Sequence, residues 1–153
     1  MIYRFLVLFL SLNFSTYIQA DIFELESLNF GTIAVVDNNN IGTLTIDRFG
    51  NTTVSPQLRI ISPPTAGRLL IDGLAPNTGI SVSLSHGATQ MTPLITSQEF
   101  FSFTLNNYSD YLVADENGEA EIRIGATIST SGNGSLNFAQ TDYQINYQIT
   151  FLF

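Results

Sequence analysis

The sequence predicts an all-β protein built as a β-sandwich. Within segments of about five to eight residues, apolar side chains recur at every second position, which is the period of a β-strand. Glycine, proline, asparagine and aspartate turns separate these segments, and no window shows a convincing helical period. About seven to nine strands with turns roughly every 8 to 12 residues are typical of a sandwich. A closed barrel is the alternative.

The first 20 residues predict a secretory signal peptide. One early charge, Arg4, precedes an apolar run from Phe5 to Leu12, and the small Ala20 lies at the expected cleavage position. A membrane anchor is the alternative, but this run is shorter than the ~20 residues that a spanning helix needs. We therefore expect export through the periplasm to the cell surface or the extracellular space. The mature chain, residues 21–153, is expected to be one domain without a transmembrane segment.

The mature part is acidic and has neither lysine nor cysteine. Four arginines stand against thirteen acidic residues, and such a surface repels phosphate backbones, so nucleic acid and anionic membranes are poor candidate partners. The absence of cysteine excludes disulfides, thiol catalysis and thiolate metal sites. Packing alone has to stabilise the fold.

Five strand segments are predicted in the first half of the mature chain. The third contains Val54 and continues beyond it until Pro63 and Pro64, which cannot donate ladder hydrogen bonds. The segments are 28–36, 42–47, 54–61, 69–71 and 80–84.

The second half predicts strands over residues 100–105, 120–128 and 143–153. Turns at Asp115–Gly118 and Ser131–Gly134 separate them, and Asn-Gly steps tolerate the positive φ angles of tight turns. The last strand has the clearest pattern, with one apolar face and one amide-rich face. We expect its apolar face to pack in its own sandwich, and coverage by a partner strand is the alternative. The candidate assembly residues on this face are Tyr143, Ile145, Tyr147, Ile149, Phe151 and Phe153.

Several segments together resemble a known bacterial family. They are 28–31 (Leu-Asn-Phe-Gly), 42–47, the turn at 72–77, 80–82, and a late module from Asn117-Gly118 to 125–128. In order and spacing they resemble the domain of unknown function DUF4402, whose members are secreted, pilin-like proteins similar to Mat/Ecp fimbrial subunits. The resemblance implies an immunoglobulin-like, pilin-like sandwich. It also implies neighbouring pilin-like subunits and a periplasmic chaperone as partners, the chaperone capping an aromatic-ended terminal strand such as the one ending in Phe153.

The chain departs from this family at its mature N-terminus. Fimbrial subunits of this kind usually carry an extended apolar arm that completes the sheet of a neighbour. Here only residues 21–27 precede Leu28, and Glu24 and Glu26 interrupt their apolar character. A polymerising donor is therefore disfavoured relative to a terminal or accessory subunit or a self-complete sandwich.

Candidate catalytic and metal residues are few. The single histidine, His86, ends an alternating strand and is expected to cap a turn, because the serines around it form no nucleophile-elbow pattern. Residues 115–121 loosely resemble a calcium loop, but no bidentate carboxylate ends it. A hairpin turn with solvated acids is the favoured interpretation. We expect no enzymatic activity, no metal site and no cofactor.

Aromatic residues between 100 and 111 raise the option of a carbohydrate-binding surface. Phe101 and Phe103 share a parity that predicts burial, whereas Tyr108 and Tyr111 are expected in an exposed loop around Ser109 and Asp110. The sequence thus favours a non-enzymatic exported fimbrial subunit, structural or adhesive, that uses strand edges for assembly. A free-standing secreted module that binds a glycan or a protein is the alternative.

Overall fold

The computed structural model describes residues 20–106 and 109–153, and these form strands and connecting turns without helix. Residues 1–19 of the predicted signal peptide lie outside the described residues. The strands are β1 (Asp21–Glu26), β2 (Thr32–Val35), β3 (Thr43–Ile46), β4 (Thr52–Val54), β5 (Leu58–Ser62), β6 (Gly67–Asp72), β7 (Gly79–His86), β8 (Thr92–Pro93), β9 (Ser102–Leu105), β10 (Ser109–Val113), β11 (Ala120–Ile124), β12 (Ala126–Ser129), β13 (Tyr143–Gln144) and β14 (Tyr147–Leu152).

The strands pair antiparallel in five sheets. Two three-stranded sheets have the orders β1-β6-β11 and β10-β7-β14, and a four-stranded sheet has the order β4-β3-β12-β9. The pairs β2-β5 and β13-β8 form two-stranded ribbons. None of these sheets closes on itself within residues 20–106 and 109–153. The all-β, sandwich-like prediction is confirmed, and the barrel alternative is wrong.

One apolar core joins the inner faces of the sheets. On β7, Ile80, Val82 and Leu84 are buried, while the serines between them are exposed. The same alternation buries Phe103 and Leu105 on β9. Period-two patterning thus produces the core directly, because successive side chains of a strand point to opposite faces.

A glycine divides the strand predicted over residues 120–128. β11 pairs with β6, and β12 pairs with β3 and β9, with Gly125 between the two segments. A Cβ atom at Gly125 would lie 2.5 Å from the carbonyl oxygen of Ile46. Only glycine allows this approach of two backbones. Breaks within predicted segments account for part of the difference between the fourteen described strands and the seven to nine predicted, and additional strands account for the rest.

Three strands have no counterpart among the predicted segments: the two-residue β8 and the longer β1 and β10, each of which adds to a central strand. β1 pairs with β6 from Asp21↔Asp72 to Glu26↔Arg68, with a bulge at Leu25. β10 pairs with β7, so the prediction that Ser109 and Asp110 lie in a loop is wrong. Both strands form because a central strand offers them a ladder, a contribution that local sequence does not show. Within the described part of the chain, no helix has the length and apolar character needed to cross a membrane.

Candidate functional site

The terminal segment runs through two sheets before the chain ends. β13 pairs with Thr92 and Pro93 of β8, and β14 then pairs with β7 from Tyr147↔His86 to Leu152↔Ser81. Five of the six assembly candidates are partly buried against the core, and the sixth, Phe153, is 60% exposed. The partly buried five are Tyr143, Ile145, Tyr147, Ile149 and Phe151.

The start of this segment is held by specific contacts. The Tyr143 hydroxyl lies 3.0 Å from the Ser97 hydroxyl and donates to the Ala139 carbonyl at 3.2 Å. Its ring meets Phe101 edge to face, with 5.0 Å between the ring centroids. At the far end, by contrast, the Phe151 ring stacks on Phe153, whose own side chain is exposed. The terminal strand is therefore anchored at its beginning and more open at its end.

β14 is the last strand of its sheet in the described part of the chain. The outer side of β9, another sheet end, is covered by Thr89 and Met91, which exchange backbone hydrogen bonds with Phe103 and Phe101. β10 also ends a sheet, and β4 is only three residues long. β14 combines an open edge of six residues with a row of apolar side chains that the core covers only in part. Edge strands of this kind are templates for pairing with another chain.

β1 is a second strand that lies at the end of its sheet, in the order β1-β6-β11. All six of its residues are exposed, including Ile22 and Phe23 at 49% and Leu25 at 46%. Burial, and after it the charge of Glu24 on β1, raises the pKa of the Tyr147 phenol on β14. The influence of Glu24 on Tyr147 predicts that these two end strands lie near each other, which a titration of Tyr147 can test. The described chain thus has two six-residue end strands, and of these β14 carries the row of partly buried apolar side chains.

A buried polar cluster lies near the anchored start of the terminal segment, and sequence reasoning missed it. Glu99 is only 8% exposed, and its carboxylate accepts hydrogen bonds from the Ser131 hydroxyl at 2.8 Å and the Asn133 amide at 2.7 Å. These bonds, led by that from Asn133, lower the pKa of Glu99. Asn38, 1% exposed, donates its amide to Ser131, Asn133 and the Ser135 carbonyl.

Hydrogen bonds of this cluster connect loops that are distant in the sequence. The cluster joins the 37–40 loop, the 131–135 loop and Glu99. None of the described buried side-chain polar atoms lacks a hydrogen-bond partner. The asparagines of both loops and the serines of the 131–135 loop indicated only turns in the sequence. Their pairing with Glu99 could not be read from local sequence, because the partners lie more than 30 residues apart.

His86 lies at the end of β7. Its Nδ1 is 2.8 Å from the carbonyl oxygen of Ala88, and its ring meets Phe103 edge to face at 5.4 Å between centroids. The ring therefore braces the turn after β7, as expected of a turn cap.

The proposed calcium loop uses Asp115 to close a turn. Its Oδ1 accepts hydrogen bonds from the backbone N–H groups of Asn117 and Glu119 at 2.8 and 2.9 Å. These backbone bonds, that from Glu119 first, lower the pKa of Asp115. Gly118 has a φ of 83°, and a Cβ there would collide with the Leu74 carbonyl. Among the described residues, no group of three histidine, aspartate or glutamate side chains is placed to hold a metal ion.

A second turn has the same construction. Asp47 Oδ1 accepts from the N–H groups of Phe49 and Asn51, both at 2.8 Å, and Gly50 has a φ of 86°. The side-chain bond from Asn51 is the main cause of the lowered pKa of Asp47. An aspartate followed three residues later by a glycine in the left-handed region therefore closes a turn at both places.

The aromatic candidates separate as follows. Phe101 and Phe103 are buried, as predicted, and Phe100 is 36% exposed. Tyr111 is exposed but lies on β10, where its ring covers Gly79 so closely that a Cβ there would meet the phenol oxygen. Tyr108 lies outside the described residues. Among the described residues, the structure therefore shows no pair of neighbouring tyrosines that forms a sugar-binding platform.

Comparison with known proteins gives one match. Neither the curated proteins nor the solved structures contain a significant match to the chain. The family model described as "Domain of unknown function (DUF4402)" matches residues 21–152. This span includes every strand described above, and the chain belongs to the DUF4402 family.

Proposed function

We propose that the chain is a non-enzymatic exported surface protein, a fimbrial or pilus-type subunit that assembles through its β-strand edges in a structural or adhesive role. The observation that carries this proposal is the row of partly buried apolar side chains on β14, a strand at the open end of its sheet. Neighbouring pilin-like subunits and a periplasmic chaperone are the partners that such an edge would bind.

The chemistry of strand addition fits this surface. An added strand gains main-chain hydrogen bonds from the edge and places alternate side chains against apolar neighbours. The outer edge of β14 offers the backbone groups, and Tyr147, Ile149 and Phe151 offer the apolar row. Export is supported by the predicted signal peptide, and the family match begins at residue 21, directly after the predicted cleavage position.

Assembly is tested on mature protein purified from the periplasm. Light scattering after size exclusion should show a ladder of oligomers or a stoichiometric chaperone complex. Hydrogen exchange should show β14 amides more protected in that species than in the monomer, with β9 amides unchanged as an internal control. A stable monomer at all concentrations, with unchanged β14 exchange, would overturn the proposal.

A matched pair of variants locates the effect at the edge. Gln148 and Ser85 face each other on β14 and β7, and both are exposed. Gln148→Lys places a charge on the open edge strand, where lysine discourages pairing. Ser85→Lys adds the same charge one strand further in. We expect the first variant to weaken assembly more than the second, and equal effects would contradict an edge mechanism.

The alternative function is a free-standing secreted module that binds a glycan or a protein. One observation favours it: β1 pairs with β6 of its own domain. An N-terminal arm donated to a neighbouring subunit would instead extend away from its own domain. Stable monomers that bind a ligand would support this alternative.

A further inference from the structure

A groove crosses the surface where the terminal segment changes its partner strand. β13 pairs with β8 and β14 pairs with β7, so Ile145 and Asn146 have no partner in either ladder. The chain between His86 and Thr92 leaves β7 at the same place. A cleft of about 440 Å³ opens between these segments, within the size range of small-molecule sites.

Amide and hydroxyl side chains dominate the polar lining of this cleft. The four polar residues are all exposed and come from two segments of chain: Gln90, Thr92, Gln144 and Asn146. Leu94 and Ile145 add apolar surface, and Gly87 and Ala88 leave the rim without bulky side chains. No charged side chain is among the lining residues.

A second, shallower hollow adjoins the cleft. It shares Thr92 and Leu94 with the cleft and adds Ile95 and the partly exposed ring of Phe100. Its lining is also free of charged side chains. We call these two adjoining hollows the groove. Amide side chains line the first hollow, and apolar side chains, the Phe100 ring and the hydroxyls of Thr96 and Ser97 line the second.

We propose that this groove binds an uncharged oligosaccharide. Each amide side chain both donates and accepts hydrogen bonds, which matches the hydroxyl groups of a sugar. Leu94 and Phe100 can pack against the C–H faces of sugar rings. A phosphate or carboxylate ligand would find no cation among the lining residues, and the acidic chain would repel it. This inference deepens the adhesive part of the proposed function.

The test is a nuclear magnetic resonance titration of the monomeric protein. The probes are lactose, cellobiose, mannobiose and di-N-acetylchitobiose, with sialyllactose as the charged comparator. We expect saturable shifts of the side-chain amide signals of Gln90, Gln144 and Asn146 with at least one uncharged sugar. Gln57, which lies outside the groove, should not shift.

Variants distinguish the groove from unspecific binding. Gln144→Ala and Asn146→Ala should each weaken binding about threefold to tenfold, the loss of one or two neutral hydrogen bonds. Gln140→Ala removes an exposed amide shortly before the terminal segment, at a residue that lines neither hollow, and should leave binding unchanged.

Three results would overturn the inference: no shift with any uncharged sugar, equal binding by the groove variants and the wild type, or tightest binding of sialyllactose. Because the titration uses monomer, loss of sugar binding leaves the assembly proposal standing. Failure of edge assembly likewise leaves a positive titration valid.

Discussion

The two edge strands β1 and β14 have the same length and the same kind of pairing, but they contribute differently to the fold. Each has six residues and runs antiparallel to one central strand. β14 packs Tyr147, Ile149 and Phe151 against the core, whereas every residue of β1 is exposed. Backbone pairing places a strand in a sheet, and side-chain burial decides whether the domain depends on it.

The cause of this difference lies in the residue order. β14 alternates strictly between apolar and polar residues up to Phe151. In β1 the apolar Ile22 and Phe23 are adjacent, so they point to opposite faces and one of them must face away from any core. Beyond its ladder, β1 is held by an exposed ion pair of 3.4 Å between Glu26 and Arg68, a class of contact that contributes little.

Deleting each strand gives the largest expected contrast. Removal of residues 146–153 takes away the three core-facing side chains of β14, so we expect loss of cooperative thermal unfolding. Removal of residues 21–26 should leave a folded domain. Circular dichroism melts of both versions measure the difference. A folded protein without residues 146–153 would show that β14 is dispensable, and the comparison would fail.

Single substitutions sharpen the same contrast. Ile149→Ala should lower the free energy of unfolding by about 2 kcal/mol, at the low end for a core isoleucine because the side chain is partly buried. Ile22→Ala, the same change on β1, should stay within about 0.5 kcal/mol of the wild type. Urea unfolding measures both values, and equal losses would remove the distinction between the strands.

Acid unfolding tests the Glu99 cluster, which lies near the start of the terminal segment that contains β14. No equivalent cluster is described beside β1. The folded pKa of Glu99 is lowered, so its contribution to stability is present above its unfolded pKa and is lost as pH falls through the folded value. Glu99→Gln should cost about 1 kcal/mol at neutral pH, since a new donor faces existing donors. It should also reduce the acid dependence of the free energy of unfolding.

The matched control for this prediction is Glu116→Gln, in an exposed turn. It should leave the free energy of unfolding at neutral pH close to that of the wild type. If both variants show the same pH profile, Glu99 has no special part in holding the loops together.

The smallest expected effect tests whether the two edges lie together. The folded pKa of Tyr147 is raised, so its contribution to stability is present below the ordinary tyrosine pKa and is lost as pH rises through the folded value. Glu24→Gln should lower the Tyr147 pKa without restoring its ordinary value, because burial is the larger cause. A resonance titration of Tyr147 measures this, with Asp21→Asn on the same strand as the control. An unchanged Tyr147 pKa in the Glu24 variant would show that the two edge strands do not lie close enough for Glu24 to influence Tyr147.

Much of the fold could be predicted from residue order. The buried residues Leu44, Ile46, Ile80, Val82 and Phe103 all lie in segments whose alternation predicts a strand. The turns at Asp47 and Asp115 could also be predicted from the sequence, because a short polar side chain and a glycine close them within five residues. Such features depend on contacts between near neighbours in the chain.

The candidate sites could be predicted from the sequence only in part. The apolar face of the terminal strand is visible in the sequence from Tyr143 onward. Its change of partner at Ile145 and Asn146, which opens the groove, depends on where β7 ends and β8 begins. Local sequence does not contain that information.

The sequence by itself therefore determined the strand class, the core positions and the acidic, cysteine-free chemistry, because side-chain period and composition are local properties. Tertiary structure alone decided which strands β1 and β14 pair with, that Glu99 connects to a distant loop, and that amides from separate segments line one cleft. Each of these arrangements brings together residues far apart in the chain. Sheet pairing sets their distance, and no single segment encodes it.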